Sequence, residues 1–166
     1  MASSARRRAR TAPQIDWLVK SKLWQGKARL RAAARASIVA AAKALSTPPA
    51  ELAIVLTDDS AIRLLNRAWR GVDAATNVLS FPSRRADGKL PCIGDIVLAY
   101  ETVARQARAE GKPLAHHVAH LALHGYLHLL GFDHARHKDA EAMEQVERDV
   151  LRRLAIPDPY RRSRRA

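Results

Sequence analysis

A single cysteine, Cys92, leaves this chain without an internal disulfide, a usage that fits a reducing compartment. Long apolar runs are missing as well. The richest stretch, Ala36 to Ala42, stops at Lys43, far short of the roughly 18 residues that a membrane-spanning helix requires, which excludes a transmembrane role. Glycine (7) and proline (8) are too sparse in 166 residues for a fibrous or low-complexity polymer. Acidic residues are also scarce, 16 against 29 Lys and Arg, for a formal charge of +13. What remains is 48% hydrophobic side chains, the composition of one folded domain large enough to need no disulfide staple.

A positive field of this size concentrates phosphate polyanions near the surface. Much of it resides at the ends: Arg6, Arg7, Arg8 and Arg10 at the N-terminus, and Arg161, Arg162, Arg164 and Arg165 at the C-terminus, with no acid among them. Removing these eight leaves +5 on the body. The expected organisation is a disordered basic tail over residues 1–13, a folded domain over 14–159 and a basic C-terminal tail over 160–166. Such tails serve solubility or weak contacts as well as nucleic-acid binding. The first thirteen residues, rich in Arg, Ser and Ala, also have the composition of an organelle transit peptide. A secretory signal fits worse, because the apolar stretch Ile15 to Val19 is short and broken by Asp16. A cytoplasmic location is expected.

Alternation of Ile15, Trp17 and Val19 against Asp16 and Lys20 predicts a first strand over Gln14 to Lys20. An Ala-rich helix follows from Lys27 to Leu45, stopped by Pro48-Pro49. Glu51 to Thr57 reads as a buried strand. Thr57 or Asp58 caps the next helix, whose apolar positions Ile62, Leu65 and Trp69 recur at helical spacing until Gly71. Thr76 to Phe81 and Ile93 to Tyr100 are strands by their branched and aromatic content, with Pro82 and Pro91 as outer boundaries and a polar turn or loop over Ser83 to Lys89. Three helices, Glu101 to Glu110, Pro113 to Leu130 and Lys138 to Ala155, complete the chain. The fold class is α/β: a single-domain sandwich with a small mixed sheet of about four strands, roughly five helices and a zincin-like metal site.

All 7 histidines fall between His116 and His137. His128 follows His124 by four residues, so on a helix both imidazoles share one face. Gly131 permits a left-handed reversal that brings His134 back as a third ligand. Three neutral imidazoles leave a tetrahedral zinc one open position, the arrangement of a catalytic site. His120 lies one turn before His124 and competes for the same face. A ladder through His116, His120, His124 and His128 would stretch about 18 Å, too far for one metal, so His120 is expected to support the ligands rather than join them. His117 and His137 are expected to face solvent.

This spacing coincides with that of metzincin proteases, but Gly125 stands where their motif needs a glutamate general base. Glu141 or Glu144 could substitute only from a separate helix, where a solvated face or an ion pair is the expected role. Met143 reads as ordinary helix packing.

The run from His124 through Leu127-His128 and Gly131-Phe132-Asp133 to His134 closely resembles the signature of the YbeY family of bacterial rRNA maturation endoribonucleases. A second block, Leu65-Asn66-Arg67-Ala68-Trp69-Arg70-Gly71 continuing through Thr76-Asn77-Val78-Leu79-Ser80-Phe81-Pro82, resembles the family's other characteristic motif, and Gly94-Asp95-Ile96 a third. The resemblance spans about Glu51 to Tyr160, with Ala75 where such proteins often carry proline. It implies a single-strand-specific, metal-dependent endoribonuclease, usually with zinc (one Zn2+ per chain), whose partners are single-stranded RNA, rRNA, the small ribosomal subunit and its assembly factors. By position Arg70 is the functional arginine, suited to a phosphodiester by its paired donors; without the resemblance it reads as a charge at a helix end. Asp95 either orients a ligand histidine or makes a structural bond, and Asp133 either does the same or caps the reversal before His134. Ser80, Phe81 and Pro82 are assigned to the cleft wall. A non-catalytic, metal-containing ribosome-assembly factor is the alternative, and a metalloprotease is disfavoured by Gly125.

Overall fold

Residues 12–161 are described by a computed structural model. The arginines of residues 6–10 and 162–165, and with them most of both predicted tails, lie outside the described residues. Four strands, β1 (Gln14–Val19), β2 (Glu51–Thr57), β3 (Val78–Arg85) and β4 (Cys92–Ala99), form one sheet in the order β1-β2-β4-β3. β1, β2 and β4 run parallel, and β3 is antiparallel to β4. Five helices accompany them: α1 (Ala28–Ala44), α2 (Asp59–Arg70), α3 (Tyr100–Ala109), α4 (Leu114–Leu129) and α5 (His137–Arg153).

Alternation along the central strands divides the two faces. Leu52, Ile54 and Leu56 of β2, with Ile96 and Leu98 of β4, enter the main core beneath α1 and α4, and α5 closes it from behind. Each such side chain contributes about 1.5–3 kcal/mol by leaving water. Ala34, Ala41 and Ala42 of α1 are buried in the same core, where short side chains let α1 and α4 approach closely. The opposite face carries a small cluster in which Ile62 of α2 meets Leu79, Val97 and Ala99. α4 is therefore enclosed by α1, α3, α5, β3 and β4.

Local signals explain most boundaries. Asp58 caps α2, its Oδ1 accepting from Ala61 N at 2.9 Å, and Gly71 ends that helix with φ 70°. Two differences from the sequence reading have physical reasons. Pro82, expected just outside its strand, lies within β3, which runs on to Arg85; the strand is at the sheet edge, where a missing N–H costs no ladder bond, and the register shifts between Pro82 and Arg85. A 3-10 turn at Lys22–Trp24 was not foreseen: it buries Trp24, whose Nε1–H donates to Thr57 O at 2.8 Å.

Candidate metal centre

His124 and His128 project from adjacent turns of α4 into a cleft of about 410 Å3. Just beyond them the helix closes in a Schellman arrangement, with Phe132 N donating to Leu127 O at 3.0 Å and Gly131 N to His128 O at 3.0 Å. Gly131 adopts φ 98°, a conformation that a side chain would oppose. The reversal points the Phe132 carbonyl at His128 Nδ1, 2.9 Å away, and carries the next residues back over the helix end. Asp133 Oδ1 accepts from His134 N at 2.7 Å and from Ala135 N at 3.2 Å, holding the turn on which His134 stands. One ring nitrogen from each of His124, His128 and His134 lies within 4.8 Å of the other two.

Protonation follows from the outer partners. His124 Nδ1 meets Glu147 Oε1 at 2.7 Å, and His128 Nδ1 meets a backbone carbonyl; both oxygens accept, so both Nδ1 atoms carry the proton. In the neutral rings Nε2 is then a bare lone pair, and the two Nε2 atoms face each other at 3.1 Å. Two lone pairs so close repel unless a cation or proton lies between them. Three imidazoles converging in this way, with the outer nitrogens of His124 and His128 already satisfied, are the donor set that a zinc-type ion requires. Burial, followed by the neighbouring His124 and His134, lowers the pKa of His128 and favours its neutral, ligating form.

Glu147 of α5 is completely buried, with both oxygens engaged. Oε2 accepts from His120 Nε2 at 2.8 Å and from the hydroxyl of Tyr160. Burial by itself raises the carboxyl pKa, but the hydrogen bonds from His120 and His124 outweigh it and lower the pKa to about 2, so the buried group stays ionised. Burial and the Glu147 carboxylate in turn raise the Tyr160 phenol, which remains a donor. His120 thus acts on the carboxylate behind His124, as a supporting residue.

Arg70, at the C-terminal end of α2, lines the same cleft with Ser80, Pro82 and the three histidines. The following loop is tied down twice: Arg63 makes paired bonds to Asp73 at 2.8 and 3.1 Å, and Asn66 Nδ2 donates to Ala74 O at 2.9 Å. Ser80 Oγ donates to Gly125 O at 3.2 Å, joining β3 to the ligand helix. A Cβ on Gly125 would sit 2.9 Å from Ile96 Cγ2 and 3.0 Å from Ser80 Oγ, so the position where a protease would carry its glutamate is pressed against the sheet. The carboxylate behind the histidines comes from α5 instead.

The structure brings together His124, His128, His134 and Arg70, and it separates others. Phe81, assigned to the cleft wall, turns to the opposite face and packs against Trp69, because alternate residues of a strand point apart. His117, expected in solvent, is only 5% exposed and bonds Gln106 at 3.0 Å; α4 is covered on nearly every side, so no solvent face was available. His137 is exposed with its Nδ1 3.4 Å from Glu141 Oε1, and Glu144 makes an ion pair with Arg148. Asp95 is exposed on β4 and bonds none of the described histidines. Asp133 caps the reversal. Tyr160, placed by its sequence position in the C-terminal tail, reaches the buried carboxylate. Glu147 was the residue missed. Its signal was a lone acid in the buried stripe of Met143, Val150 and Leu151, at helical spacing.

The family model described as Endoribonuclease YbeY matches residues 19–155. Endoribonuclease YbeY of Rhodopseudomonas palustris (strain BisB18) is 46% identical over 155 residues, covering 89% of this chain and 92% of its own length. The protein of that name from Methylocella silvestris is 49% identical over 151 residues, covering 89% of this chain and 86% of its own. Among solved structures, the solution structure of TM1509 from Thermotoga maritima superposes with a TM-score of 0.54 at 23% identity, over 90% of this chain and 100% of that one, a likeness of fold.

Proposed function

The chain belongs to the YbeY endoribonuclease family, and from that premise we propose that it hydrolyses phosphodiesters of single-stranded RNA in the 3′-end maturation of small-subunit (16S) rRNA and in ribosome quality control. It does so in the cytoplasm, on the small subunit with its assembly factors, with one zinc ion held by His124, His128 and His134. The observation that carries this reading is the pair of Nε2 lone pairs facing each other at 3.1 Å in a cleft that Arg70 also lines.

When bound, zinc supplies a water acidified to a pKa near 7 and a Lewis acid for a phosphoryl oxygen. The chain supplies the rest. Glu147 and the Phe132 carbonyl hold the protons of His124 and His128 on Nδ1, which keeps each Nε2 free and each ring aimed into the cleft. Arg70 offers two parallel N–H donors to a phosphodiester, and as charge builds on the phosphoryl oxygens in the transition state those bonds strengthen. No carboxylate of the described residues forms an ion pair with it, so its donors are available. Gly125 leaves its position without the general base of the protease motif, a role that a water acidified by a bound metal would not require.

The test is cleavage of single- and double-stranded RNA of equal sequence, with and without a chelator, alongside elemental analysis. Metal-dependent cleavage of the single strand is expected. A variant with all three ligand histidines changed to Ala, folded by circular dichroism, is expected to lose both metal and cleavage; retention of one equivalent would overturn the ligand assignment.

A further inference from the structure

Trp69 is 72% exposed, more than any other large apolar side chain among the described residues. Its position on α2 explains how it came to be there. The helix packs through Ile62 and the half-buried Leu65, and one turn later the same stripe reaches Trp69 beside the edge strand β3. There the indole meets the Phe81 ring edge-on, with ring centroids 5.7 Å apart and planes at 64°. That contact positions the ring while most of its surface stays open to water. The next residue, Arg70, lines the metal cleft.

The charge around the indole indicates what would cover it. Arg67 and Arg70 flank it in the sequence of α2, and neither forms an ion pair with a described carboxylate. The acid of the adjoining loop, Asp73, is already taken up by Arg63. An open aromatic ring among unpaired guanidinium groups matches a single-stranded polyanion with planar bases, because phosphates meet the cations while a base stacks on the ring. A duplex hides those base faces, so this contact also favours single strands.

Resting on the endoribonuclease reading, we propose that Trp69 is a stacking platform for a nucleobase next to the phosphate that Arg70 engages, and so a positioning and strand-selecting residue. Stacking on a base adds affinity without touching the reacting atoms. Trp69→Ala should therefore raise the half-saturating protein concentration in single-turnover cleavage of a single-stranded oligonucleotide by about 5- to 100-fold. The maximal rate should stay within about twofold of wild type, and metal content and melting temperature should be unchanged.

Rescue separates stacking from simple apolar contact. Trp69→Phe should recover most of the affinity and Trp69→Leu little of it. Binding is measured independently of cleavage by fluorescence anisotropy of a labelled oligonucleotide on His128→Ala protein, with and without Trp69→Ala. Unchanged half-saturation and binding in Trp69→Ala would overturn the platform, as would full recovery by Trp69→Leu, which would mark an apolar docking point for a protein. If the wild-type protein cleaved no RNA while the anisotropy loss persisted, the endoribonuclease reading would fall and the base-stacking site would stand.

Discussion

Glu147 Oε1 and His124 Nδ1 are joined at 2.7 Å across the interface of α5 and α4, and this one bond couples the buried core to the candidate metal centre. The carboxylate is an acceptor with no room for a proton, so it selects the tautomer of His124 and points Nε2 outward. Neither residue has this consequence alone.

Replacing Glu147 tests that coupling. Glu147→Gln keeps the shape but presents an amide N–H to one of His120 and His124, so one ring loses its acceptor. Metal affinity is expected to fall about 10- to 100-fold, as for other residues that orient metal ligands. Competition with a calibrated chelator reads the change, and circular dichroism verifies that the fold remains.

Arg70→Ala should lower the single-turnover rate of RNA cleavage by about 10²- to 10³-fold with the metal retained. Arg70→Lys should restore only part, since an ammonium keeps the charge without the planar pair of donors. A solvated arginine at a helix end would behave otherwise: its loss would cost about 1 kcal/mol of stability or less and leave the rate per folded molecule unchanged. Rate, metal content and melting temperature, measured together, separate the two.

Gly125→Ala is expected to destabilise the protein by about 1–3 kcal/mol, because the new methyl would lie 2.9 Å from Ile96 Cγ2 in a filled core. Since α4 carries His124 and His128, metal affinity should fall with stability. Denaturant unfolding and metal titration check both; a neutral substitution would show that α4 can move off the sheet freely.

His117 gives a pH dependence with a definite sign. Burial, with Lys112 and His120 adding to it, lowers its pKa from 6.5 to about 4, so the folded state holds it neutral while the unfolded chain binds a proton more readily. Its contribution to stability is therefore complete above about pH 6.5 and is lost as pH falls from there toward about 4. Melting temperature against pH for wild type and His117→Gln should diverge in that window, the variant losing less on acidification.

Much was legible in the sequence because local rules govern it. The i, i+4 spacing of His124 and His128 places both rings on one helix face whatever surrounds the helix, and Gly131 marks the reversal because few other residues accept a positive φ. Asp58 and Gly71 bounded α2 for equally local reasons, and of the apolar positions Ile62, Leu65 and Trp69 that its spacing marked, Ile62 is buried and Trp69 is left exposed. Where local rules met tertiary geometry, they failed. Pro82 marks a strand end in isolation, but not on an edge strand.

The order β1-β2-β4-β3 brings Arg70 round to the histidines, although more than fifty positions separate it from His124 in the chain. No periodicity encodes that order, since strand pairing follows from how the apolar faces are shared among layers. The enclosure of α4 decided that His117 is buried, and the packing of α5 on α4 decided that Glu147, rather than Glu141 or Glu144, stands behind His124. The sequence by itself determined the three histidines of the candidate metal centre and the elements that carry them, because those depend on turns and helical repeat. Only the tertiary structure decided which acid supports the ligands, which histidine titrates in the core and which aromatic is left in water, because burial and partnership depend on residues distant in the chain.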